Sequence, residues 1–232
     1  MRHVVLSLLI PLAVIVWGMW QGNNFSAELP RLWKAVKHTL SSSIPVALLA
    51  PMLTLPFLYL SLRFPSRISR LLERISYFGY AIPSLAFALG WVYFCLKTAR
   101  FAYQSLGLLV LVLSLHFMAE ALGPIRSALY KAPYRLEEAA RSLGCSPWRA
   151  FWSVTLPILR KGVALSCILV FLSTIKELPI SVLVSPPGYT SLSMGAWSAI
   201  EEAEYAQAAP YSLCILLCSA IFVTLLLRKE SS

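Results

Sequence analysis

Six long apolar windows constrain the fold of this chain more than any other feature of its sequence. Each window is long enough, or nearly so, to cross a bilayer, which takes about 20 helical residues. Only 13% of the 232 residues are charged and 58% are hydrophobic, whereas soluble domains average about 25% charged residues. We therefore predict an all-α, polytopic membrane protein with six transmembrane helices, at Val4–Trp20, Ile44–Leu62, Tyr77–Leu96, Leu106–Leu122, Val163–Val184 and Ala208–Leu227.

The basic residues fall unevenly on the two sides of these windows. With the N-terminus inside the cell, only six of the 20 Lys and Arg residues lie in outer segments. These six are Arg31, Lys34, Lys37, Lys97, Arg100 and Lys176. Because inner segments of membrane proteins carry the excess of positive charge, both termini are predicted to be cytoplasmic.

Two other interpretations of the basic and apolar segments are not favoured. The net charge is +10, but the basic residues are not clustered beside a surface on which bases could stack, so binding of nucleic acid is not expected. The first window follows a short basic start, as a signal peptide would, but no small-x-small cleavage site follows it. We expect this first span to be retained.

A polar segment between Pro133 and Pro157 interrupts the apolar pattern, with the sequence PYRLEEAARSLGCSPWRAFWSVTLP. Four apolar residues recur at i, i+3, i+4 and i+7, the spacing of one narrow helix face. These residues are Leu136, Ala139, Ala140 and Leu143. Two of them are alanines, which would let another surface approach closely. The spacing predicts a helix over Tyr134–Leu143, in which Arg141 could pair with Glu138 at i+3 or Glu137 at i+4.

The residues after this helix predict a tight turn and a second helix. Gly144 stands where a left-handed residue would end the first helix. Ser146 offers a capping hydroxyl, and Pro147 suits the first turn of the next helix. We expect the second helix to lead towards the membrane at Pro157.

Together these residues form the pattern E-A-A-x3-G-x9-[IV]-x-L-P, which runs from Glu138 to Pro157. The pattern resembles the cytoplasmic signature loop of the membrane subunits of ABC importers. The resemblance implies a type I importer permease-like fold, a single domain over 1–232, and a coupling loop at about 126–161 that docks on a separate ATPase subunit. The coupling residues it implies are Leu136, Glu137, Glu138, Ala139, Ala140, Arg141, Gly144, Leu156 and Pro157.

The same resemblance implies the other partners. They are a second permease subunit, identical or different, an extracytoplasmic substrate-binding protein and the lipid of the inner (cytoplasmic) membrane. The chain has no G-x-x-x-x-G-K-[ST] motif and no catalytic constellation, so we predict a transport subunit rather than an enzyme. ATP and Mg would be bound by the partner. Five cysteines without a C-x-x-C motif predict no metal site, and no cofactor is expected.

A second stretch narrows the resemblance. LSTIKELPISVLVSPPGYTSLSMGAWS, at 172–198, is similar to the C-terminal half of iron(III)-type permeases. Those permeases commonly hold two six-span halves in one chain, and this sequence holds one. A split half that dimerises and an inactive relic both fit this difference. The likeness to iron(III)-type permeases makes iron(III) the expected substrate, with thiamine, sulfate, phosphonate, polyamine and molybdate as alternatives.

Ionisable residues inside predicted spans are candidates for function, because charge in lipid is costly. Lys176, Glu177 and Pro179 are predicted to form a kinked gate on the translocation path; the alternative is an ion pair that reaches the outer interface. His116 and Glu120 share a helix face, with Glu120 placed near the cytoplasmic end. They could form a proton relay, as in an ion-coupled secondary transporter, or make a structural hydrogen bond.

Overall fold

Every regular element in the described part of the chain is helical. The structure is a computed structural model that describes residue 13 and residues 25–230. Its helices are α1 (Phe25–Arg63), α2 (Arg67–Ala81), α3 (Ser84–Thr98), α4 (Leu106–Lys131), α5 (Tyr134–Ser142), α6 (Pro147–Ala150), α7 (Leu156–Ile175), α8 (Pro179–Val184), α9 (Leu192–Glu201) and α10 (Tyr205–Glu230). A 3-10 turn at Arg100–Ala102 precedes α4, and a π-helical turn at Phe151–Thr155 joins α6 to α7.

Four helical stretches within residues 25–230 are long and apolar enough to cross a membrane. They are Leu29–Arg63, Leu106–Lys131, Pro147–Ile175 and Tyr205–Thr224. The pair α2 and α3 passes the same test together, bent by 106° at the break between them. The predicted span Val4–Trp20 lies outside the described residues. The all-α, multi-span fold is confirmed, with up to five spans in the described part.

Two predicted spans differ from the structure, one in where it begins and one in its continuity. Helix α1 begins at Phe25 rather than Ile44 and runs through four prolines. Its early part is held by packing, because Leu32 and Ala35 are buried against α9 and α10. The predicted span Tyr77–Leu96 is instead broken at Pro83. Proline disfavours the helical conformation in the residue before it, and Ile82 is extended, with φ −88° and ψ 133°.

Two other spans end at different places from those predicted. Helix α4 continues past Leu122 to Lys131, so Glu120 lies near the middle of the helix rather than at its end. The fifth span was predicted to reach Val184. Helix α7 instead stops at Ile175, and α8 begins after a short break.

Helix α4 is the centre of the bundle and packs against α1, α2 and α7. Its buried side chains include Leu109, Val112 and Leu122, all without exposed surface. Small residues bring the neighbours close, as is common between membrane helices. A Cβ on Gly79 of α2 would lie 2.6 Å from the carbonyl oxygen of Leu115, so the backbones of α2 and α4 are in close contact there.

Buried hydroxyl groups fasten α1 and α7 to the backbone of α4. The Thr54 Oγ1 donates to the Met118 carbonyl at 3.2 Å, and the Ser166 Oγ donates to the Ala121 carbonyl at 3.0 Å. Helices α5 and α6 follow α4 at one end of the bundle, which we call the loop end. Because α6, the π-helical turn and α7 are continuous, the loop end is connected directly to a membrane span.

Candidate functional site

The signature loop, residues 133–157, folds as a helix, a tight turn and a second helix. Helix α5 ends at Ser142, one residue before the predicted end, and Gly144 has a φ of +91°. The Gly144 N–H donates to the Arg141 carbonyl at 2.9 Å, and the Cys145 N–H to the Ala140 carbonyl at 3.1 Å. These are the bonds of a glycine-terminated helix, so the prediction for Gly144 is confirmed.

The second helix of the loop begins as its sequence predicts. The Ser146 Oγ accepts from the Arg149 N–H at 3.3 Å, and Pro147 occupies the first turn. The helix then widens into the π-helical turn and enters α7 at Leu156. Pro157 has no N–H to donate to a carbonyl one turn earlier in the helix. The second helix nevertheless continues into the membrane span without a break, as expected.

Large apolar side chains of the loop are exposed at the loop end. Leu143 is 86% exposed and Trp148 is 70% exposed, and Leu136 and Trp152 are also exposed. The Trp148 and Trp152 rings pack edge to face, with centroids 5.5 Å apart. We call these four side chains the apolar loop surface. The two tryptophans were missed in the sequence, although their i, i+4 spacing on the second helix is a readable signal.

The predicted coupling residues do not share one surface. Leu136, Glu138, Ala139, Arg141, Gly144 and Pro157 are exposed, Ala140 and Leu156 are half-buried, and Glu137 is buried. The spacing allowed Arg141 to pair with Glu138 or with Glu137, and neither ion pair is present within residues 25–230. Arg141 Nη1 lies 3.4 Å from the hydroxyl of Tyr134.

Glu137 points into the chain and accepts from three side chains. Its Oε2 accepts from the Tyr59 hydroxyl at 2.8 Å, and its Oε1 accepts from the Thr155 hydroxyl and from Arg63 Nη2. The Arg63 guanidinium also donates to the Ala132 carbonyl. Sequence reasoning found none of these partners, because they lie on other elements and leave no local spacing signal.

The predicted gate residues form a break between α7 and α8. Lys176 is exposed, and Glu177 and Pro179 are half-buried. The Glu177 Oε1 accepts from the Ile180 N–H at 3.2 Å, so the carboxylate caps the start of α8. The Ser193 hydroxyl donates to the Glu177 carbonyl at 2.8 Å and ties the break to α9. Lys176 and Glu177 form no ion pair with each other in the described part of the chain.

His116 and Glu120 have separate environments in the middle of α4. The His116 ring is buried among the rings of Tyr80, Phe87 and Phe117. The Glu120 Oε1 accepts from the Ser173 hydroxyl of α7 at 2.9 Å. Within residues 25–230, no hydrogen bond joins His116 to Glu120. The structural hydrogen bond expected of Glu120 is present, and the two side chains do not form a direct proton relay in this arrangement.

Comparison with known proteins places the chain among membrane transport components. Residues 57–228 match the family described as "Binding-protein-dependent transport system inner membrane component". The Fe(3+)-transport system permease protein FbpB 2 of Haemophilus influenzae is 30% identical over 224 residues, which cover 96% of this chain and 44% of that protein. This chain therefore spans less than half the length of that relative.

A relative of similar length and solved structures extend the comparison. A Salmonella typhi protein, provisionally named as the 2-aminoethylphosphonate transport system permease protein PhnV, is 27% identical over 97% of this chain and 90% of its own. A chain in the crystal structure of an amino acid ABC transporter with histidines superposes with a TM-score of 0.64 at 18% identity. It covers 91% of this chain and 99% of the solved one. The inward-facing MetNI methionine ABC transporter gives the same TM-score over 87% and 95%.

Proposed function

The chain belongs to the family of binding-protein-dependent transport system inner membrane components, and we propose that it forms half of the translocation path of an ATP-driven importer. It is a multi-pass permease subunit of an ABC importer, a transport component and not an enzyme. ATP and Mg are bound by a separate ATPase subunit, which docks on the signature loop. Substrate arrives from an extracytoplasmic binding protein, and both termini are cytoplasmic.

The apolar loop surface is the observation that carries this proposal. Leu143 and Trp148 project from a loop that lies outside the apolar spans, and most of their surface is left uncovered by the described residues. Exposed apolar patches of this kind mark interaction sites, and buried aromatic anchors commonly dominate binding energy. Glu138 and Arg141 lie beside this surface and supply a polar rim. An ATPase groove that takes up Leu143 and the tryptophans would remove this apolar area from water.

The docking surface is tested by two matched substitutions of very exposed apolar residues. Leu143→Asp changes the apolar loop surface, and Phe101→Asp changes the 92% exposed residue in the connection before α4. Each chain is purified from its own membranes in mild detergent, and copurifying ATPase subunits and ATP hydrolysis are measured. We expect loss of the ATPase with Leu143→Asp only. Equal retention by both variants, or a wild-type chain that purifies without any ATPase, would contradict the proposal.

The same complex provides the test against an ion-coupled secondary transporter. Transport that persists after removal of the ATPase subunit would favour that alternative and redirect attention to His116 and Glu120. We place the gate of the importer at Lys176, Glu177 and Pro179, because the helix is broken there and Lys176 is exposed at the break. Lys176→Gln is expected to slow transport without reducing the amount of bound ATPase.

Iron(III) is the substrate we propose first, since the FbpB 2 protein named for Fe(3+) transport aligns with nearly the whole chain. Phosphonate and molybdate follow from relatives named for 2-aminoethylphosphonate and molybdenum transport, and polyamine from one named for putrescine. Thiamine and sulfate remain alternatives. Uptake of radioactive iron(III) by cells with and without the chain, with each other substrate as competitor, would decide among them. The same purification identifies the second permease subunit, whether a copy of this chain or another.

A further inference from the structure

The ion pair between Glu137 and Arg63 lies away from the docking surface and joins the signature loop to a membrane span. Glu137 is in the first turn of α5, and Arg63 is the last residue of α1. Their side chains are 6% and 8% exposed, and Oε1 lies 3.3 Å from Nη2. The next residue, Glu138, has the same charge but is exposed. Charge alone therefore does not explain why Glu137 is buried.

Other contacts extend this ion pair to the start of α7. The Tyr59 hydroxyl donates to the Glu137 Oε2 at 2.8 Å, and the Thr155 hydroxyl donates to Oε1. Thr155 is the last residue of the π-helical turn and is itself buried. One carboxylate thus binds α5 to α1 on one side and to the beginning of α7 on the other.

The guanidinium of Arg63 holds the connection between α4 and α5. It donates to the carbonyl of Ala132, which lies between the two helices. It also stacks over the ring of Tyr134, 5.5 Å from the centroid, and over the ring of Tyr59, at 5.8 Å. We call Glu137, Arg63, Tyr59, Thr155 and Ala132 the loop clamp.

A buried ion pair of this kind is better suited to fixing geometry than to adding stability. Desolvation of both charges is costly, and apolar residues of the same volume often give an equally stable protein. The planar guanidinium, by contrast, fixes direction, since its Nη2 donates to Glu137 and to the Ala132 carbonyl while its plane lies over two tyrosine rings. We propose that the loop clamp makes α5 move as one body with α1, so that displacement of the docked loop is passed to α1 as well as to α4 and α7. This inference rests on the proposed docking of an ATPase on the loop.

The test measures the distance between α5 and α1 in the intact complex. Spin labels are placed at the exposed positions Leu60→Cys and Ser142→Cys. The background has its five native cysteines replaced by serine, and copurification of the ATPase is checked first. Electron–electron distances are recorded without nucleotide and with Mg-ATP and vanadate. We expect no shift between the two states with an intact clamp, and a broadened, state-dependent distance with Glu137→Gln.

Further variants separate positioning from a general loss of structure. Arg63→Gln should reproduce the effect of Glu137→Gln, and the double variant should be no worse than either single one. Arg135→Gln, at an exposed charged position of α5 outside the predicted coupling residues, is the control and should leave the α1–α5 distance unchanged. If Glu137→Gln cannot be purified, Tyr59→Phe takes its place, with a smaller broadening expected.

The outcomes distinguish this inference from the proposed function. A distance that shifts between nucleotide states with the clamp intact would overturn the inference alone, as would an unchanged distance in both Glu137→Gln and Tyr59→Phe. A wild-type complex without any ATPase would overturn the proposed function, and the inference with it.

Discussion

Replacement of Gly162 by alanine is expected to separate α7 from α4 at the centre of the bundle. A Cβ at this position would lie 2.7 Å from the carbonyl oxygen of Pro124 and in still closer conflict with the Cβ of Ala128. Neither group can turn away, because one is backbone and the other has no rotamers. The helices must therefore move apart or bend to accept a single methyl group.

The size of the effect follows from two opposing contributions. Overpacking of a tight site costs about 1–3 kcal/mol, whereas alanine is favoured over glycine in a helix by about 1 kcal/mol. Gly90→Ala in α3 is the matched control, since nothing lies within 4 Å of its new Cβ. The difference between the two variants cancels the helix-propensity gain and isolates the overpacking cost.

Thermal unfolding of both variants in one detergent measures this difference. For a chain of this size, 2 kcal/mol corresponds to about 4–8 °C in Tm. We expect Gly162→Ala to melt lower than Gly90→Ala by an amount in this range. Equal melting temperatures would refute the close contact between α4 and α7, and with it the argument that small residues fix the packing around α4.

Three further predictions concern the loop, the orientation and the buried carboxylate of α4. Gly144→Val should weaken copurification of the ATPase more than Gly144→Asn, because a φ of +91° costs most side chains about 1–2 kcal/mol but asparagine less, and no atom lies near the new side chain. A membrane-impermeant maleimide added to whole cells should label Phe101→Cys but not Leu143→Cys; the reverse result would invert the orientation. Glu120→Gln, which can still accept from the Ser173 hydroxyl, should transport normally, whereas loss of transport would indicate proton coupling.

The signature loop could be predicted from the sequence because its signals are local. Gly144, Ser146 and Pro147 each determine the conformation of the backbone next to them. The end of α5 was therefore correct to one residue. Apolar length likewise identified the spans within residues 25–230, although it could not locate their ends. Proline at 83 breaks a span while the prolines of α1 do not, since tertiary packing decides which of them the helix tolerates.

The environment of Glu137 could not be predicted, because its partners are distant in the chain. Tyr59 and Arg63 lie 78 and 74 residues away and Thr155 lies 18 residues away. Spacing rules compare only neighbours on one helix, and they offered Arg141 as the partner. The prediction that Glu137 lies in the docking surface rested on its position directly before the motif, and the structure brings it instead into the loop clamp.

Helix α5 departs from the usual amphipathic arrangement on its inner side, although its other charged residues, Arg135, Glu138 and Arg141, are exposed in the usual way. In most helices of folded proteins the apolar face is buried and the charged face is exposed. In α5 the charged Glu137 faces the chain, while Leu136 and Ala139 face away from it. Hydrophobic burial within the chain therefore does not hold α5 in place, and the hydrogen bonds and ion pair of Glu137 must do so. Because they do, the apolar residues stay free for a partner, and the partner's pull acts on a helix already joined to α1 and α7.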